Sequence, residues 1–146
     1  MKGLFIMGDP TRAKKILDMA KEAQKNSYAP YSNYHVGACL VALDDSNEEV
    51  YFSGCNVENA AYGSTICAER GAIMNAIVHG YKKFTDIAIV GETDHWAAPC
   101  GSCRQMLVEF NPNMNIIMGL NDGSILELPL KELLPMYFTS KELRGE

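Results

Sequence analysis

Apolar residues recur at helical spacing in the first part of the chain and at strand spacing directly after it. From Pro10 to about Asn26 the helical positions are Ala13, Ile16, Leu17, Ala20 and Ala23, and Asp9 with Pro10 is a typical helix start. Two strand-like runs follow at 36–43 and 50–56. Turn-forming residues at 44–47 join these runs, so the pattern predicts a helix followed by a hairpin.

The second part of the chain alternates helices and strands. Ser64 or Thr65 is the predicted cap of a helix from about Cys67 to His79, and Gly80 ends it. A strand at 87–91 precedes a second helix, which begins at Pro99 or Cys100 and stops at Asn111-Pro112. Strands at 115–120 and 125–128 and a short helix at 131–134 complete the order.

This order predicts a fold of the α/β class, a three-layer α/β/α sandwich around a mixed five-stranded sheet. With 146 residues, 47% of them hydrophobic, the chain has enough apolar material for one core. We therefore expect residues 1–146 to form a single domain, with residues 1–9 as a flexible N-terminus.

Charge and cysteine content narrow the classes of partner and compartment. A net charge of −5 without a basic stripe argues against binding to a nucleic-acid polymer. The apolar run at 4–7 is too short for a secretory signal, and no later run is long enough to span a membrane. Five cysteines without a disulfide-framework spacing favour a reducing compartment, so we expect a cytoplasmic protein.

Three of the cysteines stand in a pattern that predicts a zinc site. Cys67 opens a Cys-Ala-Glu motif, and Cys100 and Cys103 form a Pro-Cys-Gly-Ser-Cys motif at the start of the next predicted helix. Catalytic zinc has three protein ligands and leaves the fourth position to water, whereas structural zinc has four. Glu69, two residues after Cys67, can lie beside that water as a general acid and base. Three cysteines with a non-ligand glutamate match the signature of zinc-dependent nucleobase deaminases.

Two other interpretations of the cysteines remain open at this point. A lone Cys-x-x-Cys pair in an intracellular chain is often a redox pair or half of a structural zinc finger. A non-catalytic, zinc-stabilised interaction module would need a fourth protein ligand and would not need Glu69. Cys39 and Cys55 lie in strand-like runs and are most simply small buried apolar residues.

Further motifs resemble the small homotetrameric cytidine deaminases of the three-cysteine zinc type, from about Pro10 to the C-terminus. The motifs are Ala29-Pro30-Tyr31-Ser32, Val36-Gly37-Ala38, Gly54-Cys55-Asn56-Val57-Glu58-Asn59-Ala60-Ala61-Tyr62, Cys67-Ala68-Glu69-Arg70, Pro99-Cys100-Gly101-Ser102-Cys103-Arg104-Gln105 and Glu132-Leu133-Leu134-Pro135. The resemblance implies zinc-dependent hydrolytic deamination of cytidine and 2′-deoxycytidine in pyrimidine salvage. It also implies one Zn²⁺ per chain and a homotetramer with shared active sites.

The resemblance assigns substrate contacts to several positions. Asn56 and Glu58 are expected to bind the ribose 3′-hydroxyl, and the backbone near Ala68 is expected to bind the base. Phe138 corresponds to a ring that covers the base in a neighbouring subunit, and Tyr62 to a related interface position. An ordinary polar strand end and core aromatic residues are the alternatives.

Two arginines follow the cysteine motifs directly, and one pair of residues departs from the family. Arg70 and Arg104 can donate N–H···S bonds that offset the charge of three thiolates; surface ion pairing is the alternative. Tyr34-His35 stands where the family has Phe and a small or polar residue. Tyr34 keeps a ring for the base but adds a hydroxyl, which leaves a blasticidin-type or modified-nucleoside substrate open.

Overall fold

The computed structural model describes residues 3–146 and contains one six-stranded mixed sheet. The strands are β1 (Leu4–Phe5), β2 (Gly37–Leu43), β3 (Glu49–Cys55), β4 (Phe84–Val90), β5 (Asn115–Gly119) and β6 (Ile125–Pro129). The helices are α1 (Pro10–Gln24), α2 (Ala68–Val78), α3 (Gly101–Phe110), α4 (Leu130–Leu133) and α5 (Ser140–Arg144). The spatial order is β1-β6-β5-β4-β2-β3, in which β1–β6 and β4–β5 are parallel and the other pairs are antiparallel.

Alternate residues of the central strands face two separate apolar cores, which confirms the predicted three layers. In β2, Leu40 packs into the core under α2 and α3, whereas its neighbours Cys39 and Val41 pack against α1. The α1 face contributes Ala13, Ile16, Leu17 and Ala20. The sheet is therefore buried on both sides, as its near-continuous apolar strands require.

The sheet has six strands where the sequence predicted five, because β1 was not recognised. Leu4 and Phe5 pair in parallel with Ile125 and Leu126, and the amide of Gly3 donates to the Ser124 Oγ at 2.9 Å. Leu4 and Phe5 belong to the segment 1–9, which was expected to be flexible, and here they pair with a strand. Residues 1 and 2 of that segment lie outside the described residues. Two residues are too few for a strand pattern, and their partner lies at the other end of the chain.

The helices begin within about one residue of their predicted starts, but the capping residue of α2 differs from the prediction. Ser64 and Thr65 were predicted caps of α2, but Cys67 itself is the N-cap, and Tyr62–Ser64 forms a short 3₁₀ turn. Cys100 is likewise the N-cap of α3. Both ligand-bearing helices therefore begin directly at a cysteine.

An ion-pair network joins α1 to the sheet on the face opposite α2 and α3. Arg12 donates from Nη1 and Nη2 to both carboxylate oxygens of the buried Asp86, at 3.1 and 2.8 Å, and its Nε donates to Glu49 at 2.8 Å. Asn115 Nδ2 then bridges Asp86 and the buried Glu127 at 3.2 and 3.0 Å. The network supplies hydrogen-bond donors to both buried carboxylates, and Arg12 adds a positive charge beside Asp86.

Within residues 3–146, no helix has the length and apolar character needed to cross a membrane.

Candidate metal centre and active-site cleft

Three cysteines meet where α2 and α3 begin. Cys67 is half-buried, Cys100 is exposed and Cys103, in the first turn of α3, is buried. Their sulfurs all lie within 4.8 Å of one another, and the Cys67 and Cys100 sulfurs are 3.9 Å apart. Residues separated by more than thirty positions in the sequence therefore converge only because the two helix N-termini meet.

The sulfur cluster fits zinc. With Zn–S bonds of about 2.3 Å, tetrahedral geometry places two sulfurs about 3.8 Å apart, close to the spacing of Cys67 and Cys100. The cysteines alone form this cluster among the described residues, which leaves the fourth position free of a protein ligand. The positive ends of two helix dipoles stabilise the thiolates. The cluster is compatible with one zinc per chain.

Arg70 connects the cluster to the preceding loop. Its Nη2 donates to the Cys67 sulfur at 3.3 Å and to the Thr65 carbonyl oxygen at 2.9 Å. The sequence predicted the N–H···S bond from the position of Arg70 directly after the motif. A guanidinium at this place offsets part of the negative charge of three thiolates.

Arg104 has a different set of contacts from the one expected. In place of an N–H···S bond, its Nε donates to the Pro99 carbonyl and its Nη1 to the Leu133 carbonyl, both at 2.7 Å. Leu133 ends α4, far along the chain from the motif, so no local pattern around Arg104 predicts this contact. Arg104 therefore fixes the backbone in front of Cys100.

The Cys67 and Cys103 thiols differ in acidity. A hydrogen bond with Cys103 lowers the pKa of Cys67 to about 5; burial opposes this shift and Arg70 adds to it. The same bond and burial raise the pKa of Cys103. Burial alone raises the pKa of Cys39 to about 12, so that thiol stays neutral, as its predicted role as a small apolar residue requires.

Glu69 lies next to the cluster and is only 5% exposed. Burial raises the pKa of its carboxyl to about 7, and the neighbouring Cys67 charge adds to the rise. A group that titrates near neutrality can both take up and return a proton. Glu69 stands in the first turn of α2, two residues after a cluster cysteine, so its carboxyl lies beside the sulfurs.

A cleft of about 290 Å³ opens in front of Glu69. It is lined by Ser32, Tyr34, Val36, Asn56, Glu58, Thr65, Cys67, Ala68, Glu69, Ile89, Ala97, Ala98 and Cys100. The volume is close to the lower end of the range for small-molecule sites, about 300–1,000 Å³. The cleft therefore brings most of the predicted site residues together around the sulfurs.

Asn56 and Glu58 both reach the cleft, and both are anchored by backbone groups. The Asn56 amide is buried; it donates to the Tyr34 carbonyl at 2.8 Å and accepts from the Val36 amide at 2.9 Å. Glu58 Oε1 accepts from the amides of Tyr31 and Ser32 at 3.0 and 3.1 Å. A bond from the Ser32 hydroxyl, followed by these two amide bonds, lowers the pKa of Glu58, which keeps it ionised.

Tyr62 and Phe138, by contrast, do not line this cleft. Tyr62 is 73% exposed and packs edge-on against Tyr31, with ring centroids 5.3 Å apart, in an adjacent groove that Glu58 also lines. Phe138 is 53% exposed, and its carbonyl accepts from Gln105 Nε2 at 2.9 Å. Both rings are therefore presented at the surface of a single chain.

Several cleft residues were absent from the sequence prediction. Ser32 and Thr65 belong to predicted motifs or caps, whereas the residue type of Ala97 and Ala98 does not mark them as cleft walls. Their position directly before the Pro-Cys-Gly-Ser-Cys motif is the one signal that the sequence contains. Small residues next to a metal motif are consistent with space for a ligand.

Comparison with known proteins identifies the family. Residues 10–119 match the family described as the cytidine and deoxycytidylate deaminase zinc-binding region. A cytidine deaminase of Sporosarcina psychrophila is 38% identical over 131 residues, which are 89% of this chain and 93% of that protein. A probable cytidine deaminase of Dictyostelium discoideum is 37% identical over 89% of this chain and 86% of its own length.

A solved structure gives the same result for the fold. The crystal structure of cytidine deaminase from Burkholderia pseudomallei superposes with a TM-score of 0.80 at 42% identity, covering 86% of this chain and 98% of that one. Fold, three-cysteine cluster and sequence relatives agree. The chain belongs to the zinc-dependent cytidine and deoxycytidylate deaminase family.

Proposed function

We propose that the chain hydrolyses cytidine and 2′-deoxycytidine to uridine and 2′-deoxyuridine and releases ammonia. The observation that carries this proposal is the buried Glu69, which borders both the three-sulfur cluster and a cleft of about 290 Å³. The relatives that cover most of the chain are named cytidine deaminases. We extend their activity to this chain because it has the sulfur cluster and the acid–base group that the reaction needs.

When bound to Cys67, Cys100 and Cys103, zinc supplies a Lewis acid that makes water nucleophilic at neutral pH. Glu69 takes a proton from the attacking water and delivers it to N3 of the pyrimidine, which makes C4 electrophilic. The oxygen then bonds to C4. Glu69 transfers the second water proton to the exocyclic amine. The C4–N bond then breaks, ammonia is released, and the oxygen on C4 becomes a carbonyl. One carboxyl group thus serves every proton transfer.

Substrate binding is proposed for the remaining cleft residues. Glu58 uses Oε1 for two backbone amides, so Oε2 can accept a bond from the ribose 3′-hydroxyl. Asn56 Nδ2 has one hydrogen on the Tyr34 carbonyl and a second one to offer to the sugar. The ring of Tyr34 and the backbone at Ala68 are proposed to contact the base.

We further propose a homotetramer in which a neighbouring chain completes each cleft. Phe138 and Tyr62 are exposed on the single chain, and large aromatic rings at a surface favour an interface. Phe138 would then cover the base of a nucleoside whose ribose is bound by Asn56 and Glu58 of another subunit. We also propose a single catalytic domain over residues 1–146, a cytoplasmic location, a role in pyrimidine salvage and no membrane partner.

A polynucleotide substrate is the second candidate within the same chemistry, but the net charge of −5 disfavours it. A modified or blasticidin-like nucleoside is the third, and it is favoured only by the unusual Tyr34-His35 pair. Turnover of cytidine, 2′-deoxycytidine, a blasticidin-type nucleoside and a cytosine-containing single strand should be compared by absorbance loss and ammonia release, with zinc measured by elemental analysis. Efficient turnover of the free nucleosides supports the proposal. Turnover of the single strand alone would overturn it.

A further inference from the structure

We propose that Gly91 is a positioning residue for Tyr34: by lacking a side chain, it sets where the tyrosine ring stands in the cleft. The proposal rests on the proposed function, because it concerns the wall of the nucleoside cleft. Gly91 directly follows β4, and Tyr34 lies in the segment before β2. The two residues are far apart in the sequence and meet at the cleft.

Any side chain at Gly91 would force the Tyr34 hydroxyl to move. A Cβ built there would lie 2.3 Å from the Tyr34 hydroxyl oxygen, 3.1 Å from Tyr34 Cζ and 3.3 Å from the Ala97 Cβ. A non-bonded carbon and oxygen need about 3 Å or more, so the hydroxyl occupies the space that the missing side chain leaves. The carbon atoms of the ring, in contrast, would need to move by only a few tenths of an ångström.

Backbone conformation does not explain the glycine. Gly80, Gly123 and Gly145 adopt positive φ angles, and Gly91 is not among the glycines that do. Alanine therefore fits the backbone at position 91 without the strain that a left-handed residue would have. The tyrosine hydroxyl is the group that excludes it.

Tyr34 has little freedom to move away through its backbone. The Tyr34 carbonyl accepts from Asn56 Nδ2 at 2.8 Å, the Val36 amide donates to Asn56 Oδ1 at 2.9 Å, and the intervening His35 amide donates to Glu92 Oε2 at 3.0 Å. Because these bonds hold the backbone from the Tyr34 carbonyl to Val36, a group at position 91 would displace the tyrosine side chain. Because the ring lines the cleft, this displacement changes the space available to the nucleoside.

Tyr34 stands where the family resemblance implies phenylalanine, and its additional hydroxyl is the group that contacts Gly91. Tyr34 and Gly91 form a pair in which the larger ring requires the smaller neighbour. Phenylalanine at 34 would tolerate alanine at 91, whereas tyrosine at 34 would not. The pair acts on substrate fit and not on proton transfer, so its effect should appear in KM more than in kcat.

The test is a double-mutant cycle with the wild type, Gly91→Ala, Tyr34→Phe and the double variant, each measured with cytidine. We expect Gly91→Ala to raise KM by about tenfold, and Tyr34→Phe to remove most of that rise, because residues in contact have non-additive effects. Zinc content should stay the same in all four proteins. Equal effects of Gly91→Ala in the tyrosine and phenylalanine backgrounds would overturn the proposal.

Thermal unfolding midpoints of the same four proteins provide a readout that does not depend on the substrate. A larger loss from Gly91→Ala with tyrosine at 34 than with phenylalanine supports the contact, and equal losses contradict it. If Gly91→Ala fails to fold, recovery in the double variant supports the proposal, and failure of both variants overturns it. Cytidine turnover by the wild type is a separate test. Its absence would refute the proposed function, whereas the thermal unfolding midpoints would still decide whether Gly91 and Tyr34 are in contact.

Discussion

Replacing Arg70 by methionine should weaken zinc binding without removing a ligand. The substitution keeps a side chain of similar length but deletes the donor to the Cys67 sulfur at 3.3 Å and to the Thr65 carbonyl at 2.9 Å. A hydrogen bond to a charged group contributes about 1.5–3 kcal/mol, and sulfur at this distance favours the lower value. Since about 1.4 kcal/mol is a factor of ten, we expect zinc affinity to fall by about 10- to 100-fold.

The assay is competition for zinc against a chromophoric chelator at fixed pH and salt. Arg12→Met is the matched control, because it also removes one positive charge, from the α1 side of the sheet and away from the sulfurs. Arg70→Lys should fall between the wild type and Arg70→Met, since it keeps the charge but loses the two-pronged donor. Zinc affinity of Arg70→Met within about threefold of the wild type would refute the assigned role of the guanidinium.

Two further variants test the α1 network and the assembly. Arg12→Met should lower the free energy of unfolding by about 1–2 kcal/mol near pH 7, because it leaves buried Asp86 without its ion pair. Burial raises the pKa of Asp86, but bonds from Arg12 outweigh it and leave the pKa below its usual 3.8; Arg12 likewise lowers the pKa of Glu49 below 4.5. The stabilisation is therefore present above these values and is lost as the pH falls through the folded pKa values. Denaturation curves of Arg12→Met and the wild type should then converge in acid. A difference in unfolding free energy that stays constant with pH would contradict this reasoning. Phe138→Ala should raise KM by about tenfold or more with zinc unchanged, as expected if the ring closes a neighbour's cleft; a fully active monomer in sedimentation would contradict the shared site.

The sequence was most informative where the signal is local. Periodic apolar positions predicted α1 and the β2–β3 hairpin to within about two residues at each end. The cysteine motifs placed Cys67, Cys100 and Cys103 together, because each motif marks the start of its own helix. The fold class and the family followed from features that lie within short segments.

The features that were missed depend on partners distant in the chain. Strand β1 exists because Leu4 and Phe5 pair with Ile125 and Leu126, and two residues have no period to detect. The contact of Arg104 with the Leu133 carbonyl and the fit of Tyr34 against Gly91 likewise join separate segments. Non-local packing determines these contacts, and no residue pattern within one segment encodes them.

We propose that Glu69 transfers every proton in a zinc-dependent deamination of cytidine. The most direct measurement is ammonia release from cytidine by Glu69→Gln, together with zinc content, against the wild type. The amide keeps the shape of the side chain but cannot accept a proton from water. We predict one zinc per chain in both proteins and a fall in turnover of at least about 10³-fold, since loss of a general acid and base typically costs about 10²–10⁴-fold and here one group serves each step. Turnover within about tenfold of the wild type, with zinc retained, would show that another group moves the protons and that Glu69 does not have the proposed role.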